Sequence, residues 1–241
     1  MSPSDKLDTI QLEVRDALSL CTSLKKKSVD LILTDFPYQV AKPALDGIPI
    51  GEYPVQQSRM NTKTAPWDLQ FELTEELLDE FHSILRPGGT LIAFYDIWKF
   101  ETLRSLLRRV CFKSLRLIVW SKTNGVPVCN FTHYRKNSKE FAVVAIKGKN
   151  PTFHSAYDSG IYVYPHQNRS SIGVEHPTMK NLDMHCELLK KHTNEGDLVV
   201  DPFLGSGITA FACLLEGRRC IGGDIEESYV RAAEANLERF L

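Results

Sequence analysis

Two short segments of this 241-residue sequence carry residue types that can do chemistry at a defined spacing. The first is Asp35-Phe36-Pro37-Tyr38, which follows the apolar run Val29–Thr34. Pro37 has no N–H to offer a sheet and ends the strand there. Asp35 and Tyr38 therefore fall at the strand's carboxyl tip, the edge where open α/β sheets bind ligands. A carboxylate beside a backbone carbonyl suits an exocyclic amine whose lone pair is delocalised into a ring. Both groups accept from the NH2 and draw the nitrogen toward tetrahedral geometry, which readies it for methyl transfer. Asp35 supplies one acceptor, the Phe36 or Pro37 carbonyl the other, and Tyr38 can stack on an extruded base. Alone, the tetrapeptide also fits an ordinary Asp-x-Pro turn.

The second segment is Leu198-Val-Val-Asp201-Pro-Phe203-Leu-Gly205-Ser206-Gly207, an apolar strand running into a glycine turn. Glycines let backbone approach a ligand closely and aim a helix N-terminus at it. The next apolar run, Arg219–Gly223, ends at Asp224, where an acid can hold both hydroxyls of a ribose. Gly205-x-Gly207-x-x-Ala210 also satisfies a loose dinucleotide pattern, but the chain after Asp224 is too short for a second mononucleotide half. The segment fits a ligand with one adenosine and no pyrophosphate.

These tips need a framework, and the rest of the sequence alternates β-branched runs with amphipathic stretches, the pattern of a mostly parallel α/β sheet. Strands are expected at 10–14, 29–34, 90–95, 115–120, 141–146, 198–200 and 219–222, about seven in one domain spanning 1–241. Helices are expected at 74–85, 99–110, 184–192, 208–216 and 226–239, with Arg86-Pro-Gly-Gly89 as a stop and turn. Two stretches break the alternation. Residues 39–70 read as a flexible loop near the active site, and 150–175 as a short target-recognition segment.

Taken together, the motifs resemble the amino-group DNA methyltransferases, which methylate adenine N6 or cytosine N4 with S-adenosylmethionine. The resemblance is to the permuted β-group, whose catalytic turn precedes its cofactor motif, and it covers nearly the whole chain. Asp35-Phe-Pro-Tyr38 is similar to the catalytic D/N/S-P-P-Y/F motif, with Phe36 in place of the first Pro, and Asp201–Gly207 to D-P-F-x-G-S-G. Glu175-His176-Pro177-Thr178-Met-Lys180 resembles H-P-T-x-K, and Arg15-Asp16-Ala17 the segment whose Asp approaches the cofactor adenine. Val119-Trp-Ser-Lys122 matches a framework motif. The resemblance implies a Rossmann-like sheet with its cofactor glycine motif near the C-terminus and a catalytic turn of Asp35, Phe36, Pro37 and Tyr38. It implies S-adenosylmethionine held by Asp16, Ala17, Asp35, His176, Pro177, Thr178, Lys180, Asp201, Phe203, Gly205, Ser206, Gly207 and Asp224. No metal is implied. Asp at the first motif position leans toward adenine N6. Cytosine N4 is the nearest rival, followed by RNA adenine and a non-catalytic nucleic-acid-binding module. A protein-glutamine methyltransferase would have Asn first and its glycine motif upstream.

Composition agrees with an ordinary globular protein: 43% hydrophobic and 24% charged, with six scattered cysteines and no C-x-x-C pair. There is no apolar run long enough to span a membrane and no apolar leader core, so an intracellular, cytoplasmic protein is expected. The net charge of −1 hides an asymmetry. Between Lys99 and Asn150 stand twelve basic residues and two acids, Glu101 and Glu140, which suggests a polyanion-binding face for double-stranded DNA. Lys122, His133, Arg135, Lys136 and Arg169 are the expected contacts. The family resemblance adds a homodimer and a cognate restriction enzyme as expected partners.

Overall fold

The computed structural model describes residues 7–37, 71–124, 138–166 and 180–240. Among these lie eight strands and six α-helices. The order is β1 (Ile10–Val14), α1 (Ala17–Ser23), β2 (Val29–Asp35), α2 (Glu75–Ile84), β3 (Leu85–Phe94), α3 (Phe100–Arg109), β4 (Lys113–Lys122) and β5 (Lys139–Ile146). It continues through β6 (Ile161–Tyr164), α4 (Leu182–His192), β7 (Leu198–Asp201), α5 (Ile208–Glu216) and β8 (Arg219–Asp224) to α6 (Glu227–Phe240). One sheet runs β1-β8-β7-β2-β3-β5-β4-β6. Every pairing is parallel except those of β5, which is antiparallel to β3 and β4. This is the expected α/β architecture with one strand more.

That extra strand, β6, lies inside the 150–175 segment. Four residues are too few to establish alternation, and only Tyr162 is fully buried while Ile161 and Val163 are exposed. Ahead of β6, Lys191 of α4 binds Asp158 at 2.5 Å, and Asp158 Oδ1 accepts from the Gly160 N–H at 2.7 Å. The first part of this expected recognition segment is therefore tied into the framework. Helix α1 was also missed; two turns give too short an amphipathic signal. The Arg86–Gly89 stop is a bulge between β2 and β3 rather than a turn ahead of the strand. Val29 pairs Leu85 but Leu31 pairs Thr90. Gly88 takes φ +83, and a Cβ there would meet the Asn150 carbonyl at 2.6 Å.

Helices cover both faces. Along β2, Leu31 and Leu33 point to the core under α4, α5 and α6, while Ile32 and Phe36 point to the core under α1, α2 and α3. The β2–α2–β3 crossover runs across one face and β7–α5–β8 across the other, so the connections diverge between β2 and β7. Such a switch point opens a crevice outside the carboxyl ends of the strands.

The same topology divides the basic stretch. Helix α3 starts beyond the carboxyl tip of β3 and runs back, carrying Arg108, Arg109 and Lys113 to the opposite edge, where Lys113 faces Ile146 at the end of β5. Lys147 turns inward there, donating to the carbonyls of His82 at 2.5 Å and Leu85 at 2.7 Å. The run is not one continuous face. Lys99, Lys122 and Lys139 stand at the edge shared with Asp35, while the larger group lies at the other end of the strands.

Candidate active site

Alternation and register assemble the site. Asp35 has the parity of Leu31 and Leu33, so it faces the α4 layer. Asp35 pairs Phe94 of β3, Phe94 pairs Ala142 of β5, and Trp120 of β4 pairs Glu140. Phe94, Trp120 and Ala142 all belong to the core beneath α4, so Glu140 and Lys122, two residues from Ala142 and Trp120, share that face. A row Asp35–Phe94–Glu140–Lys122 thus crosses four strands at the carboxyl edge of β2.

Lys180, just ahead of α4, reaches down onto this row. Its Nζ donates to Asp35 Oδ2 at 2.5 Å, lies 2.7 Å from Glu140 Oε2, and sits 5.2 Å from the centre of the Phe94 ring. Glu140 Oε1 is bound in turn by Lys122, whose ammonium also lies 4.7 Å above the Trp120 ring. Burial opposes the charge of Lys180, yet Asp35 and Glu140 outweigh it and raise its pKa. Burial likewise raises Glu140, but Lys180 and Lys122 together hold its carboxyl well below the usual range. Asn181 caps α4 through its side-chain oxygen, accepting from Met184 N at 2.9 Å, and its amide donates to the Pro165 carbonyl at 3.0 Å. A Pro at this position could do neither. His185 stacks on Phe94 and donates from Nδ1 to the Asn181 carbonyl at 3.0 Å; burial drives its pKa down to about 3.

Phe36 faces the other way, at 1% exposure. Its ring stacks on Phe71 at 6.0 Å and Phe81 at 6.3 Å, and meets Tyr95 and Phe203 edge-on at 5.4 and 5.6 Å. The residue that stands in the first Pro position therefore fastens the β2 tip to the glycine turn through Phe203. In that turn, Leu204 N donates to Gly223 O, and Gly207 takes φ +78 before α5. Asp201 lies beneath it, fully enclosed, accepting from Thr34 Oγ1 at 2.9 Å and Phe203 N at 3.2 Å, with Thr209 as a further donor. Burial with only neutral donors pushes the Asp201 carboxyl up to about 7. Ser206 is buried in the same turn.

Asp224, at the tip of β8, accepts from Gly205 N at 2.8 Å and Glu226 N at 3.0 Å; its partial burial raises its pKa. Asp16, at the tip of β1, is exposed and caps α1 by accepting from Ser19 N at 2.9 Å; the Ser19 hydroxyl first, and this N–H second, lower its pKa. Ala17 turns its methyl into the core beside Cys21. Asp16, Asp224 and Asp35 thus form a line of acceptors across β1, β8 and β2. That donor-poor set fits a ligand presenting an amine, a diol and an ammonium, which are the groups of S-adenosylmethionine.

Tyr38, His133, Arg135, Lys136, Arg169, His176, Pro177, Thr178 and the 39–70 loop lie outside the described residues. Lys122, expected against DNA phosphate, is buried and spent on Glu140, with its side chain 5% exposed. Trp98 is 90% exposed on the short 3-10 turn after β3. Glu140 was missed. Its signal was present: an acid at the parity of Ala142, Val144 and Ile146, the inward face of its own strand.

The sequence profile of the DNA methylases matches residues 29–235, which includes both strand tips and the turn between them. The chain belongs to the N6/N4 DNA methylase family. The methylase is 26% identical to the type II methyltransferase M.HpaI of Haemophilus parainfluenzae, over 92% of this chain and 72% of that one. Its fold matches the M1.HpyAVI–SAM complex with a TM-score of 0.70 at 25% identity, covering 95% and 98% of the two chains. It also matches the cytosine-N4-specific PvuII DNA methyltransferase, TM-score 0.71 at 17% identity over 95% and 88%, a likeness of fold alone. The methylase is thus an S-adenosylmethionine-dependent DNA methyltransferase on a Rossmann-like sheet. Among the described residues, no helix is long and apolar enough to cross a membrane.

Proposed function

We propose that this methylase modifies the N6 amine of an adenine flipped out of duplex DNA. The observation that carries the reading is a carboxylate, Asp35, bound by the Lys180 ammonium at the tip of the strand that borders the switch point. Adenine is favoured over cytosine because Asp, rather than Ser, opens the catalytic turn. Asp35 accepts one amine N–H through Oδ1 while Lys180 holds Oδ2, and a carbonyl of Phe36 or Pro37 accepts the other. Tyr38 stacks on the base, whose extrusion costs a few kcal/mol. S-adenosylmethionine supplies a methyl group on a sulfonium, already a good leaving group. The protein contributes positioning, and the proton can leave after transfer.

The cofactor's adenine amine is assigned to Asp16, its ribose hydroxyls to Asp224, and its close backbone approach to Gly205, Ser206 and Gly207, with Phe203 walling the turn and Asp201 bracing it from below. His176, Pro177 and Thr178 are assigned to the methionine end. For DNA, His133, Arg135 and Lys136 sit in the segment joining Asn124 to Ser138. Both ends of that segment lie at the Asp35 edge, where Lys122 N donates to Ser138 O. Arg169 follows in sequence after β6, whose last residue Tyr164 pairs Lys122 at the same edge. These contacts would be phosphate-directed and weaken with salt.

The test is incubation with labelled S-adenosylmethionine and unmethylated duplex DNA, digestion to nucleosides and mass spectrometry, with Asp35→Ala in parallel. N6-methyladenine from the wild type alone is expected. N4-methylcytosine would keep the role of Asp35 and overturn the choice of base.

A further inference from the structure

Asp35, Lys180, Glu140 and Lys122 lie 35, 180, 140 and 122 residues into the chain, yet form one chain of alternating charge, buried except at its Asp35 end. Family resemblance assigns Lys180 to the cofactor and Lys122 to the framework, and gives Glu140 no role. The geometry points elsewhere. Lys180 spans the Phe94 ring from β2 to β5, and its ammonium meets two carboxylates; its side chain is 6% exposed. It stands at the N-terminus of α4, where the helix dipole disfavours a cation, so its charge depends on those two acids. Glu140, on the inward face of β5, draws Lys180 away from a single-sided grip on Asp35, and Lys122 balances Glu140.

We propose that Lys180, backed by Glu140 and Lys122, acts on Asp35: the chain of ion pairs keeps the amine-accepting carboxylate ionised and points it along the strand tip. Lys180, Glu140 and Lys122 are positioning residues, and none of them touches cofactor or DNA. The inference rests on reading Asp35 as the group that accepts the target amine.

Among the described residues, the charged and titratable groups around Asp35 come from four neighbouring elements. They are Lys180 ahead of α4, Glu140 on β5, Lys122 on β4, Asp201 on β7 and His185 on α4. His185 is held neutral and Asp201 adds no positive charge, so among these described groups Lys180 is the one in contact with Asp35 that favours its ionised form. Removing it leaves the half-buried Asp35 carboxylate near two others with the Lys180 cation gone, which disfavours its ionised form.

The experiment compares wild type with Lys180→Met, Lys180→Arg and Glu140→Gln. S-adenosylmethionine affinity is measured by calorimetry, and kcat is measured against pH on unmethylated genomic DNA. Lys180→Met should bind cofactor within about threefold of wild type and lose about tenfold or more in kcat at pH 7. Its acid limb should move up by about one pH unit or more, so that the deficit shrinks by pH 9. Lys180→Arg keeps the charge and should keep the wild-type pH profile at reduced kcat; it also serves if Lys180→Met fails to fold. Glu140→Gln should lower kcat and leave cofactor affinity unchanged.

A tenfold loss of cofactor affinity in Lys180→Met with an unmoved pH profile would overturn the proposal and return Lys180 to the cofactor. A pH-independent loss matched by a fall in Tm would overturn it in favour of a purely structural role. Asp35→Ala separates the two readings. If that variant still turns over, the assignment of Asp35 fails; if it does not, only the role of the ion-pair chain is at stake.

Discussion

Two strand tips of this methylase place an aspartate at the crevice, Asp35 half-buried and Asp201 enclosed, and they treat it in opposite ways. At β2, Asp35 meets an ammonium, Lys180, that is itself shared with a second acid. At β7, Asp201 meets only a backbone N–H and hydroxyls, and its pKa climbs to about 7. Cations preserve a buried charge, whereas neutral donors satisfy the oxygens without stabilising the charge to the same degree. The first arrangement suits a group that must be ionised when an amine arrives. The second suits a brace whose task is to shape a turn.

The same substitution at the two tips should therefore give very different results. Asp35→Asn is expected to cut turnover by about 1,000-fold, with S-adenosylmethionine affinity within about threefold of wild type, read by single-turnover kinetics and calorimetry. Equal losses of turnover and affinity would remove Asp35 from the chemistry. Asp224→Ala should show the reverse split, weakening cofactor affinity by about 10- to 100-fold, with turnover largely recovered at saturating cofactor. Gly207→Ala tests the turn itself. It forces a side chain into φ +78, with its Cβ 2.7 Å from that of Ala233, and should cost about 2–3 kcal/mol in chemical denaturation.

Asp201→Asn should have the smallest effect, and its sign is set by linkage. The folded-state pKa of Asp201 is raised, so its contribution to stability is present below about pH 4, where the unfolded carboxyl titrates, and is lost as pH rises to about 7. The asparagine variant should gain in Tm relative to wild type across that window and level off above it. A variant that instead loses stability steadily toward high pH would show that Asp201 is needed as a carboxylate, and the contrast between the tips would fail.

Much of this contrast could be read in the sequence, but only along single strands. Asp35 before a proline, Asp201 before a glycine turn and Asp224 at the next strand end are local patterns, and the structure sets each where its pattern points. The partner that makes Asp35 different lies 145 residues away, and no local pattern pairs Lys180 with it. Lys122 illustrates the same limit. It sits in a basic run, but inward parity on β4 buries it on Glu140. The run itself is divided because β5 is antiparallel and α3 reverses direction, facts that appear only with sheet order. Strand β6 is too short to alternate visibly. Trp98 lies outside any amphipathic pattern because it occupies one turn between β3 and α3.

The aromatic cluster around Phe36 has a further consequence for how this chain can change. Phe36 and Phe71 stack at 6.0 Å, one residue before Pro37 and one at the point where the described chain resumes. The Phe36–Phe71 contact thus ties together the chain on either side of the intervening segment. Loop-closure entropy grows only logarithmically with length, so once the ends are clasped, insertions and replacements between them cost the fold little. The clasp lets residues 39–70, which follow the catalytic Tyr38 in sequence, be exchanged at little cost to the fold. Substituting a segment of different length and composition should leave Tm nearly unchanged while altering what the enzyme accepts. Replacing Phe71 with a small residue should make the fold sensitive to whatever the segment contains.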